Sequence, residues 1–165
     1  MTKFLTVAVL FVLLVSCGGG PQKVGTNTVD EHMDYIVQQI DRCEHMYSQH
    51  FDMLESTGYS MMEDLMIKTY KEALENIKGL NDFDDPTEFE PNKLSELKDA
   101  GLVIIETYIS IWENELTKID DEDVRYESDK WKAIMRIADT KIENAYDAFD
   151  KKQEELAAEY GITLY

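Results

Sequence analysis

From residue 29 onwards, apolar side chains recur every three or four positions, the period of helices with one buried face. Met33, Ile36, Ile40, Cys43, Tyr47, His50 and Leu54 make a first stripe of about six turns. Thr28 and Glu31 fit a capping box ahead of it, and Gly58 fits a C-terminal stop. Ser60 and Glu63 form a second box, followed by the stripe Met62, Met66, Tyr70, Ala73, Ile77 and Leu80. Asn81 to Asn92 holds acids and two prolines without a period, and reads as a loop. A third helix is predicted from about Lys93 to Ile119. It carries two adjacent stripes, one of Leu97, Gly101, Ile104, Tyr108 and Ile111, the other of Leu102, Ile105, Ile109, Trp112 and Leu116. An apolar arc that wide suits a helix touching two neighbours, and Gly101 marks either a kink or a close helix crossing. Asp120 to Asp123 places acids at the start of a fourth helix, where the helix dipole favours them, with a start at Ser128 as the alternative. Its stripe is Val124, Trp131, Met135, Ala138, Ile142, Ala145, Phe149 and Leu156, and it ends before Gly161.

No strand-like alternation is present. The expected fold is all-α, an antiparallel up-down four-helix bundle. The second helix is shorter than the others, and the loop after it could cover the difference by laying Phe83 and Phe89 over exposed core.

The start of the chain breaks this pattern. One cation, Lys3, precedes an almost wholly apolar run from Phe4 to Val15. As a helix that run would rise about 18 Å, short of the roughly 30 Å of a hydrocarbon core, so it reads as a secretory leader rather than a membrane span. Its last residues, Leu14-Val15-Ser16-Cys17, resemble the lipobox of bacterial lipoproteins. The resemblance implies that residues 1–16 are a signal peptide and that Cys17 becomes a covalently lipidated N-terminus anchoring the chain in a membrane. Acyl chains on one residue anchor firmly, since each buried CH₂ contributes about 0.8 kcal/mol. Gly18, rather than Asp, follows the Cys, which under enterobacterial sorting rules favours the outer membrane over the inner. Residues 17–28 then form the lipidated Cys and a flexible, Gly-rich tether of at most about 35–40 Å. Residues 29–165 are the acidic helical bundle.

Charge narrows the partners. Among 165 residues, 34 are acidic and 16 basic, for a net charge of −18. Phosphate contacts need a basic face, so nucleic acid is not an expected partner. An anionic lipid surface would repel the body and hold it at the end of its tether. With 44% hydrophobic residues, the composition is globular rather than disordered.

The search for chemistry gives mostly exclusions. All three histidines, His32, His45 and His50, lie on the first helix, and no Glu-x-x-His pair of a di-iron bundle occurs. Haem-attachment, zinc-protease and nucleophile-elbow motifs do not occur either. No catalytic residues are assigned, and no enzyme or resident cofactor is expected beyond the lipid on Cys17.

Two features remain. Cys43, Met46, His50 and Met53 follow one side of the first helix at spacings of three and four, and soft sulfur and imidazole ligands suit Cu(I). The same stripe overlaps the core seam, and methionine packs irregular interiors well, so core packing is the preferred reading over a metal site. Cys43 and His50 are likewise expected to be interior groups. The acidic loop around Phe83, Asp84, Asp85 and Phe89 resembles a calcium loop only superficially, because Pro86 and Thr87 stand where the EF-hand pattern needs a ligand and a glycine. Aromatic anchors rimmed by acids make it the first choice for a partner surface. The chain is thus expected to be a lipid-anchored, non-enzymatic binding or scaffolding module for another envelope protein. Binding of copper or a small apolar molecule is the alternative.

Overall fold

The computed structural model describes residues 29–57, 63–80 and 91–164. The leader, Cys17, the tether and the loop bearing Phe83, Asp84, Asp85 and Phe89 lie outside the described residues, as does the Met53 side chain. The described fold is all-α: α1 (Val29–Thr57), α2 (Glu63–Lys78), α3 (Pro91–Asn114), a 3₁₀ turn (Leu116–Lys118), α4 (Asp121–Arg125) and α5 (Asp129–Tyr160).

Among the described residues, the stripes read from the sequence are largely the buried faces, with Tyr47, Met135 and Ile142 only half-buried. Met33, Ile36, Ile40, Cys43 and His50 of α1 are buried, as are Met66, Tyr70, Ala73, Ile77 and Leu80 of the α2 segment. In α3 the stripe from Leu97 through Gly101 to Ile111 is buried throughout. The parallel stripe is mixed, with Ile105 and Leu116 buried and Leu102, Ile109 and Trp112 half-buried.

The third helix is shorter than its apolar period suggests. It ends at Asn114, whose side-chain amide donates to the Ser110 carbonyl at 3.0 Å. Asparagine competes in this way with the helix's own backbone bonds. The chain then tightens into the 3₁₀ turn, and Leu116 turns inward to pack with Ile111, Ile134 and Ala138.

Both candidate starts of the fourth helix are used. Asp120 and Asp123 close a capping box on the short α4. Ser128 then caps α5, its hydroxyl accepting from the Trp131 amide at 3.0 Å. The link between them passes through Glu127 at φ 44°, a left-handed conformation that glycine adopts more readily. Gly161 ends α5 with a left-handed φ of 66°.

α3 packs against α1, α2 and α5. Gly101 explains the tight α1–α3 approach. A Cβ placed there would lie 2.6 Å from Ile36 Cγ2 and 3.6 Å from Phe149 Cε2. Of the two alternatives for this glycine, the close crossing is the one realised.

A polar seam joins α1 to α2. Gln39 Oε1 accepts from Asn76 Nδ2 at 3.0 Å and from Arg42 at 3.1 Å. At the far end of α2, Lys98 Nζ donates to the carbonyls of Leu80 and Lys78, at 2.9 and 3.3 Å.

Candidate functional site

The stripe proposed for soft-metal chemistry runs through the interior. Cys43 is 0% exposed and His50 1%, while Met46 is half-buried. Burial pushes the Cys43 thiol up to about 12, with the nearby Arg42 guanidinium opposing the shift. Burial lowers the His50 pKa, so the ring is held neutral. The ring stands edge-on to Phe51 and Trp112, with centroids 5.3 and 5.1 Å away. Cys43 and His50 are seven residues apart, a rise of about 10 Å, so one ion could take neighbouring members of the stripe but not the whole set. Among the described residues, no group of three or more His, Cys, Asp or Glu side chains converges as metal ligands would. Met33 and Met66, at the two ends of the methionine-rich segment, are core residues.

Around Cys43 the core is rich in phenols. Tyr108 stacks on Tyr70 at 5.5 Å and lies 5.2 Å from Tyr47. The Tyr108 and Tyr146 hydroxyls are 3.4 Å apart, and Tyr146 donates onward to Glu44 at 3.2 Å. The Tyr47 and Tyr70 hydroxyls are buried without a hydrogen-bond partner among the described residues. Burial raises the pKa of each of these tyrosines, Tyr108 to about 12. Burial thus favours the protonated, neutral phenol at each of these positions.

Among the described residues, a cleft with the shape of a binding site lies between α2 and α3. The cleft, of about 250 Å³, is lined by Ile67, Tyr70 and Lys71 on one side and Ile109, Trp112, Glu113 and Thr117 on the other. Its walls are apolar and aromatic, and its lips carry one cation and one anion. Lys71 and Glu113 are exposed, and neither makes an ion pair among the described residues. A broader, shallower groove of about 450 Å³ between α3 and α5 is lined by short polar and small residues, including Thr107, Ser110, Asn144 and Ala148.

The sequence reading placed Tyr70, Ile109 and Trp112 on core stripes and did not single out Lys71 or Glu113. Periodicity assigns a residue to a helix face but does not give the rotation of one helix against another, and that rotation forms the cleft. The sequence signal that could have found it is the second α3 stripe, where Ile109 and Trp112 widen the apolar arc beyond one face; from the sequence that arc reads only as contact with two neighbours. Comparison with known proteins adds no relative: no protein-family model, no curated protein and no solved structure matches this chain.

Proposed function

We propose that this chain is a lipid-anchored cell-envelope protein whose acidic body is an antiparallel up-down four-helix bundle. The body acts as a non-enzymatic binding or scaffolding module for another envelope protein. The observation that carries the reading is the leader: Lys3, the apolar run from Phe4 to Val15, and Leu14-Val15-Ser16-Cys17. A polar tether and a helical body follow, and among the described residues no helix is long and apolar enough to cross a membrane. In this reading the acyl group on Cys17 supplies the membrane attachment, with the outer membrane favoured over the inner.

The antiparallel arrangement is supported by contacts that run in opposite senses along paired helices. Phe51, late in α1, meets Trp131 at the start of α5, with ring centroids 5.6 Å apart. Glu44, earlier in α1, receives a hydrogen bond from Tyr146, further along α5. Lys98, early in α3, reaches the last carbonyls of the α2 segment. The binding role is supported by long exposed helix faces held a tether's length from the bilayer, and Phe83, Asp84, Asp85 and Phe89 remain the partner surface favoured by sequence.

The test has two parts. Cys17→Ala should abolish acyl labelling and release the chain from the membrane fraction, whereas unchanged fractionation would remove the anchor. In crosslinked membranes, the native chain should recover one specific envelope protein. Phe83→Ala/Phe89→Ala should lower that recovery by about tenfold or more if the aromatics are anchoring residues.

A further inference from the structure

We infer that the cleft between α2 and α3 is a binding site for a free α-amino acid with a large apolar or aromatic side chain. The inference goes beyond the anchoring and partner role, which does not involve this cleft. Three observations converge on that ligand.

The first is the wall. Ile67, Ile109 and Trp112 are half-buried, so each leaves apolar surface that the protein's own core does not cover. Tyr70 and Trp112 are themselves fixed from behind, by Tyr108 and His50 respectively. A wall held rigid in this way loses little freedom when a ligand docks.

The second is the charge on the lips. The chain has 34 acids against 16 bases, yet among the described residues Lys71 has no acidic partner. Glu113 lines the same cleft and does not close onto it. A cation and an anion thus flank one apolar slot. An α-amino acid carries the complementary pair on a single carbon: its carboxylate faces Lys71 Nζ, its ammonium faces the Glu113 carboxylate, and its side chain descends between the walls. A hydrocarbon would use neither lip. A fatty acid would bring net negative charge to a protein of net charge −18, whereas a zwitterion is not repelled.

The third is size. The cleft, at about 250 Å³, falls just under the roughly 300–1,000 Å³ of pockets for drug-sized ligands. An amino acid is the scale of molecule it would enclose.

Trp112 lies in the wall, so binding is read directly from its fluorescence, alongside calorimetry, on the full chain reconstituted in lipid vesicles without detergent. Trp131→Phe removes the only other tryptophan and should keep the response. L-Phenylalanine and L-leucine should saturate the signal. L-Alanine, which lacks the side chain, phenylalaninamide, which lacks the carboxylate, and N-acetylphenylalanine, which lacks the ammonium, should each bind at least about tenfold more weakly. Lys71→Met and Glu113→Gln should each weaken L-phenylalanine by about tenfold, with unchanged helicity because both side chains are exposed. No saturable binding of either amino acid overturns the inference, as does affinity indifferent to both lip variants or to blocking either end of the ligand. Such a failure leaves membrane release of Cys17→Ala and recovery of an envelope partner unaffected, so the two readings fail separately.

Discussion

At the scale of single residues, Gly101 shows how little a periodic pattern says about distance. On α3 it occupies a buried stripe position like any other, and the sequence leaves open a kink or a crossing. The crossing is decided by what lies opposite, since the Ile36 side chain occupies the space where a Cβ would be. Gly101→Ala gains about 1 kcal/mol of helix propensity. It must also push α1 away or force Ile36 off its rotamer, and overpacking of a core typically costs about 1–3 kcal/mol. The expected net result is destabilisation by up to about 2 kcal/mol, read as a lower denaturation midpoint at unchanged denaturant slope. Gly101→Ala combined with Ile36→Val should recover part of the loss by removing a methyl group at the contact.

At the scale of elements, helix identity and inward faces were legible because burial of one face imposes the 3.6-residue period on α1, α2, α3 and α5. Helix ends were legible where a particular residue marks them, as the Ser128 hydroxyl and the left-handed Gly161 backbone do for α5, and were missed where the chain changes its mode of coiling. The break at Asn114 is one case, where an apolar period continues into a 3₁₀ turn. Ion pairing was less legible still. Lys152 of α5 reaches Glu96 of α3 at 2.6 Å, a partner that spacing within one helix does not give, as well as Glu155 at 3.4 Å. The buried polar residues Gln39 and Thr69 were also outside the apolar pattern. Gln39 is matched across to Asn76, and Thr69 to the Leu65 carbonyl. The cleft residues were individually visible, but their meeting was not, because it depends on how α2 is turned against α3. A prediction belongs at this scale. Ser128→Ala removes the acceptor for the Trp131 amide and should destabilise the protein by about 1 kcal/mol. Ser128→Asp should retain most of the stability, because its carboxylate can accept the same bond. Thermal denaturation of the two variants distinguishes the cap from a general effect of substitution.

At the scale of the whole molecule, charge makes stability depend on pH. Burial lowers the His50 pKa, so below the unfolded value of 6.5 the unfolded chain takes up a proton that the folded chain refuses. Stability should therefore begin to fall as pH drops through about 6.5. A second decline follows in the carboxylate range. The Lys141 and Lys118 bonds hold Glu115 below the usual carboxylate range, and the Lys130 and Ser128 bonds do the same for Asp123. Protonating these groups releases the ties from the 3₁₀ turn and α4 to α5. Denaturation midpoints measured across this range should show the two declines, and His50→Phe should remove the first while leaving the second.

The same sealed interior governs the fate of Cys43. Its sulfur lies at the meeting of α1 with α2 and α3, fully covered, and burial disfavours the thiolate that disulfide exchange requires. Two folded copies therefore cannot join through Cys43 by collision. A covalent pair linked at Cys43 records molecules that met before their helices closed or after they came apart. In oxidising surroundings, the interval between the chain's emergence and its collapse is when this sulfur is vulnerable.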